Sequence, residues 1–191
     1  MELFKRPQHK EVLASNLNWQ VLDPFAEKAF GHDQITQLIN EGNRHAARYK
    51  NGADVNIGVT AKSELEEHAK NKIFSIAAKA ATTKRFQKTT SLILVKNTES
   101  EEKLIYAIGI VSGNVVVDAL ITLDQISRTY QQFAALCENT GRVYYIHGDI
   151  APHGVTLNHA YSLTELLQEK SGKKILIEPL RDEKKILYVI Y

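Results

Sequence analysis

Imidazoles and carboxylates crowd one stretch of the chain, His147-Gly148-Asp149-Ile150-Ala151-Pro152-His153, with His159 six residues beyond. A His-x-Asp pair followed by a second His could ligate a divalent metal, or set a general base beside a carboxylate. The stretch follows Val143-Tyr144-Tyr145-Ile146, which reads as a strand, and catalytic groups favour the C-terminal ends of strands in α/β sheets. His147, Asp149 and His153 are therefore the set on which an enzyme would rest, a small metal-dependent hydrolase or phosphotransferase. The same residues suit a surface turn, because Gly, Asp and Pro are turn formers, and Tyr144, Tyr145 and Tyr161 suit core and rim positions. The turn is the preferred reading.

The wider chain supplies little to complete such a site. His147-Gly148-Asp149 resembles the catalytic loop of small-molecule phosphotransferases, but the resemblance stops at three residues: no Asn and Asp follow at suitable spacing, and no glycine-rich nucleotide loop precedes it. Neither a P-loop nor a G-x-G-x-x-G fingerprint occurs. Cys137, the single cysteine, falls on an apolar helix stripe, where a buried thiol is the ordinary outcome. With 24 Lys+Arg against 22 Asp+Glu and a net charge of +2, neither nucleic acid nor an acidic membrane is implied as a partner. No cofactor, no metal and no enzymatic activity are expected.

The elements that position these residues follow from periodicity. Residues 105–111 and 115–121 are rich in β-branched side chains, and Ser112-Gly113-Asn114 supplies the positive-φ positions of a tight hairpin. Thr122 and Gln125 form a capping box for a helix with Ile126, Tyr130, Phe133, Ala134 and Cys137 on one face, closed by Gly141. A strand at 90–95 precedes the hairpin; a strand at 143–146, a helix at 162–170 and a strand at 174–177 follow. The order β-β-β-α-β-α-β predicts an α/β fold with a mixed sheet covered by helices, the ribonuclease H-like or actin-like layout. A nuclease of that layout would need a metal-holding carboxylate on the first of these strands, and an ATPase an acidic, glycine-bearing phosphate loop; residues 90–96 offer neither.

Residues 1–88 read as an N-terminal αβ lobe attached to a second lobe at 89–191, with no Gly/Ser/Pro linker between them. At 191 residues the chain can bury roughly 70% of its unfolded surface without staples. Residues 12–14 and 17–22 predict a strand pair turning at Ser15-Asn16. Asp33 caps a helix carrying Ile35, Leu38, Ile39 and Ala46, with an Asn51-Gly52 turn and a strand at 55–59 after it. Ser63 and Glu66 cap a second helix carrying Leu65, Ala69, Ile73, Ile76, Ala77 and Ala80, whose end gathers Lys79, Lys84, Arg85 and Lys88 at the negative pole of the dipole. Near these helix ends, Arg44, Arg48 and Tyr49, and again Lys84, Arg85 and Phe86, combine cations with an aromatic. Both sets are expected to project as partner-binding surface. Residues 1–10 lack the apolar run of a signal peptide, and 186–191 stay apolar to the last residue, as though the natural chain continues.

Several blocks taken together resemble a known family. Leu17-Asn18-Trp19-Gln20-Val21-Leu22, Ile57-Gly58-Val59-Thr60, the run from Lys72 to Ala80, Tyr106 to Ile110 with Asn114 to Asp118, and Leu166-Leu167 with Lys174 to Leu180 look like the order in the cytoplasmic part of PilO/BfpC-type type IVb pilus accessory proteins. That resemblance spans nearly the whole chain and rests on apolar blocks, with departures around Glu27 to Asp33 and at Asn97 to Lys103. It implies a small actin-like domain ahead of a transmembrane helix, at the cytoplasmic face of the bacterial inner membrane. It further implies a non-catalytic scaffold of a type II secretion-like assembly system, with the pilus assembly ATPase and inner-membrane platform proteins as partners and self-association open to it. No catalytic residue is carried over.

Overall fold

A tight turn organises the second half of the chain: Ser112 and Gly113 both sit at positive φ, 50° and 82°, as a two-residue hairpin loop matched to strand twist requires. This computed structural model describes residues 11–22, 31–61, 65, 71–98 and 100–181. Its strands are β1 (Glu11–Ala14), β2 (Asn18–Leu22), β3 (His45–Asn51), β4 (Asp54–Thr60), β5 (Lys72–Ser75), β6 (Thr90–Lys96), β7 (Ile105–Val111), β8 (Asn114–Ile121), β9 (Tyr145–Gly148), β10 (His159–Ala160) and β11 (Glu178–Pro179). Its helices are α1 (Gly31–Asn40), α2 (Ile76–Ala81), α3 (Lys84–Gln87), α4 (Ile126–Asn139) and α5 (Leu163–Gln168). None of these helices is long and apolar enough to cross a membrane.

The fold is a mixed α/β one. A five-stranded sheet runs β10-β9-β6-β7-β8, and only β7 is antiparallel to the rest. Counted from β6 this is the 3-2-1-4-5 order of the ribonuclease H-like and actin-like layout. Both faces of the sheet are buried. Leu92 and Leu94 pack with Ile126, Phe133 and Cys137 of α4, while Ile93 and Val95 pack with Ile76 and Ala77 of α2, Phe86 of α3 and Leu166 of α5. The near-continuous apolar runs of β6 and β7 are what a sheet covered on both sides demands. Helix α4 is preceded by the expected Thr122–Gln125 capping box. It ends at Gly141, φ 64°, with the Arg142 amide donating to the Cys137 carbonyl at 2.9 Å.

Several expectations are corrected. The fourth strand starts at Tyr145, leaving Val143 77% exposed. The fifth is the two-residue β10, reached without an intervening helix. Residues 174–177 leave this sheet and lie beside β5, where the Ile177 amide donates to the Ile73 carbonyl (2.9 Å) and the Ser75 amide to that of Ile175 (3.0 Å). Strands β1 and β2 do not pair with each other: Asn16 at φ 62° sends β1 alongside β5 and β2 alongside β4. Helix α1 stops at Asn40, because Gly42 (φ 93°) turns the chain and the Asn43 and Gly42 amides close onto the carbonyls of Leu38 and Ile39, at 3.1 and 3.0 Å. Ala46 is therefore a strand residue. Ile73 is one too, since helix α2 begins only after Ser75, whose hydroxyl accepts from the Ala78 amide at 3.1 Å. The Ser63–Glu66 capping box, residues 1–10 and residues 186–191 lie outside the described residues.

The four-stranded sheet β11-β3-β4-β2 and the five-stranded sheet meet edge to edge, β2 beside β8. No ladder joins them; a carboxylate does. Asp118 on β8 accepts from the amides of Asn16 (3.1 Å) and Leu17 (3.3 Å) and from the Trp19 indole (2.8 Å), and the Leu120 amide donates back to the Asn16 side chain at 2.9 Å. The hairpin tips are tied as well: Tyr49 Oη donates to the Gly113 carbonyl (2.9 Å), and Asn51 and Asn56 both donate to Asn114 Oδ1 (2.9 Å each). Asp118→Ala is expected to destabilise the chain by roughly 2–4 kcal/mol at pH 7, because three donors lose their acceptor inside the seam. Glu101→Ala, on the exposed loop between β6 and β7, should change stability by less than about 0.5 kcal/mol. Urea midpoints check both, and equal losses would contradict the role given to Asp118.

Candidate functional site

His147 lies on β9 in register with Ile93, so strand alternation turns its ring into the core. It is 4% exposed. The ring meets Phe86 edge-on at 5.2 Å and stacks on His159 at 5.3 Å. Burial, then the neighbouring His159 and Arg85, lower its pKa to about 4, so the imidazole is neutral at physiological pH. Asp149 serves the backbone: its Oδ1 accepts from the Lys96 amide at 2.9 Å and its own amide donates to the Leu94 carbonyl at 3.1 Å, closing the end of β6. Gly148 between them sits at φ 141°, and a Cβ there would fall 1.9 Å from the Leu94 carbonyl oxygen. That position admits only glycine. His153 is exposed.

The residues of the alternative enzyme reading are thus scattered, one to the core, one to a strand end and one to solvent. Among the described residues no three His, Cys, Asp or Glu side chains gather to hold a metal ion.

The two sets expected to project as partner surface are divided by the structure. Tyr49 is 5% exposed and Phe86 wholly buried, a correction whose cause is that β3 alternation sends Tyr49 inward and α3 packs Phe86 against Tyr161. Arg44 stays exposed and donates to the Ile39 and Asn43 carbonyls at the end of α1. Arg48 and Lys84 are exposed; Arg85 lies 5.1 Å over the Tyr161 ring. Lys79 is no solvated helix-end cation: its Nζ is drawn inside, donating to the carbonyls of Glu169 (2.6 Å) and Gly172 (2.7 Å), and burial lowers its pKa.

What the structure adds is a cleft. About 640 Å³ opens where the 174–181 segment runs beside β3, with Arg48, Lys174, Leu176, Glu178 and Arg181 among its lining. Three cations face one carboxylate within that lining, although Lys174 also pairs with Glu11 at 2.7 Å. Sequence reasoning had Arg48 but missed Lys174, Glu178 and Arg181, which only the pairing of β11 with β3 brings near it. The strand signal at 174–177 was visible; its destination was not. The cleft can bind anionic side chains and exposed backbone, and it holds no general base flanked by a nucleophile.

The buried groups give a pH signature. The folded-state pKa of His147 is about 4, below the ordinary value near 6.5, so as pH falls the unfolded chain takes up its proton first and His147 withdraws stability between pH 6.5 and 4. Burial pushes Asp118 the other way, up to about 6 despite three hydrogen bonds that lower it. Its protonated form adds stability as pH falls from 6 towards 3.8. In His147→Phe, stability relative to the parent chain is expected to rise by roughly 3 kcal/mol between pH 6.5 and 4. A difference that stays constant across that range would contradict the assignment.

No family model matches the chain, and no curated protein matches it. Among solved structures the chain is similar to the cytoplasmic domain of BfpC, with TM-score 0.48 and 13% identity over 87% of this chain and 91% of that one. It is also similar to a protein with actin-like ATPase fold and unknown function from Bacteroides thetaiotaomicron VPI-5482, with TM-score 0.45 and 8% identity over 82% of this chain and 69% of that one. At these identities the likeness is one of fold alone.

Proposed function

We propose that the chain is a non-catalytic binding scaffold in a type IV pilus, type II secretion-like, assembly machine, acting at the cytoplasmic face of the inner membrane and holding the assembly ATPase and platform proteins. One observation carries this reading. Asp118 in the seam and Asp149 at the end of β6 are taken up in holding the fold, and His147 is buried among aromatic rings, while among the described residues the side chains of the exposed cations Arg48 and Lys84 have no such duty. The partner classes come from the resemblance of the sequence blocks to pilus accessory proteins. A modest patch with a few cationic anchors suffices for a reversible interface.

Purified chain is expected to retain the assembly ATPase or a platform protein of its own system in a pull-down. Arg48→Glu and Lys84→Glu should weaken retention about tenfold or more with folding stability changed by under about 0.5 kcal/mol. Folded chain that retains no subunit of such a machine would contradict the proposal. Metal-dependent turnover of phosphoesters, lost in Asp149→Ala, would favour the hydrolase reading in its place.

A further inference from the structure

The cleft beside β3 has a defined backbone geometry. The Leu180 amide donates to the Arg44 carbonyl at 2.8 Å, in the antiparallel register that pairs Glu178 with Ala46 and Pro179 with His45. Backbone polar groups alternate in direction along a strand, so the outward edge of β3 is offered by Ala46, Arg48 and Lys50, and of Arg44 only by the carbonyl, since its amide donates to the Thr60 carbonyl of β4 at 2.9 Å. Pro179, which has no N–H, falls at a position where none is needed. Continued, the same register would set Leu176 against Arg48 and Lys174 against Lys50. It does not continue: β11 begins only at Glu178, and the segment before it bonds instead to β5 through Ile175 and Ile177, with Phe74 bridged to Leu176. The two strands part like a V, and the cleft lined by Arg48, Leu176, Lys174 and Arg181 is the opening between them.

The geometry points to this opening as a docking edge for an extended, acidic segment of a protein partner, which adds to β3 by pairing with the outward N–H and C=O groups of Arg48 and Lys50. Strand addition draws affinity from main-chain bonds and specificity from alternate side chains. The charge selects the occupant: Arg48, Lys50 and Arg181 are exposed and Lys174 half-exposed around the opening, against Glu178. Basic side chains on an edge also keep it from pairing with its own copies, so an acidic strand is admitted where a second copy of this chain is repelled. The inference rests on the binding-scaffold reading and specifies its partner's contact chemistry.

The test uses the full chain with eight-residue linear peptides of alternating Glu and Val, the charge-inverted Lys and Val peptide, and an acidic peptide N-methylated at alternate residues. In the free chain the Arg48 and Lys50 amides should exchange with solvent quickly. The acidic peptide should slow them at least tenfold, Arg48→Glu and Arg181→Glu should each weaken its binding about tenfold, and the double variant should accept the basic peptide instead. The N-methylated peptide should bind at least tenfold more weakly. Amides already protected in the free chain, equal binding of acidic and basic peptides, indifference to N-methylation, no binding at millimolar peptide, or self-association through this edge would each overturn the proposal. If assembly subunits bind the Arg181→Glu chain as they bind the parent, the edge proposal fails and the scaffold stands. If no subunit binds but the acidic peptide does as described, the scaffold reading fails and the edge stands.

Discussion

The architecture depends on one carboxylate. Two sheets end beside one another at β2 and β8, and neither edge completes the other's hydrogen-bond ladder. Unpaired amides at such an edge are costly, and Asp118 answers by accepting from those of exposed Asn16 and buried Leu17 and from the Trp19 indole at once. The arrangement has a cost of its own, since burial raises the pKa of Asp118 to about 6. Trp19 reaches the carboxylate by lying flat across β4, where a Cβ on Gly58 would fall 2.5 Å from the indole. A glycine in a strand thereby sets where the seam can form.

From that seam the remaining contacts follow. The β3–β4 and β7–β8 hairpins can be knotted by Asn51, Asn56 and Asn114 only because β2 and β8 are already aligned. Residues 174–180 then leave the five-stranded sheet and bond to β5 on one side and β3 on the other. Lys79 fastens the approach to that segment through two carbonyls. The result is two sheets held to one another by polar side chains.

What the sequence disclosed was local. The β7–β8 hairpin, the capping box before α4, its buried stripe and the Gly141 stop are encoded within a few residues of one another and appear where they were read, except that Asn114 belongs to β8 rather than to the turn and Tyr130 is only partly buried. Where signals competed, the wrong period was chosen: Ala46 happens to fall at helical spacing from Leu38 and Ile39, yet Gly42-Asn43 ends the helix. Ile73 likewise matched a helix that Ser75 starts two residues later. Period two places His147 on the face opposite Ile146 and level with exposed Tyr145, and His147 is buried only because Phe86 of α3 covers that face too; the neighbouring glycine and aspartate suggested a loop instead. The cleft was not legible because its cations, Arg48 on one side and Lys174 and Arg181 on the other, are joined only by tertiary pairing. No local pattern records which strand a distant segment will meet.

Thermal unfolding followed by the fluorescence of Trp19, the single tryptophan, tests the central claim most directly, because that indole sits in the seam. The account predicts one transition, coincident with loss of far-UV circular dichroism, and a midpoint unmoved by millimolar Mg-ATP. A ligand stabilises by RT ln(1 + [L]/Kd), about 2.7 kcal/mol at a hundredfold excess over Kd. A Trp19 transition well below the loss of secondary structure would contradict a seam that locks the two sheets together, and a rise of several degrees with nucleotide would contradict the reading of the chain as one without a nucleotide site.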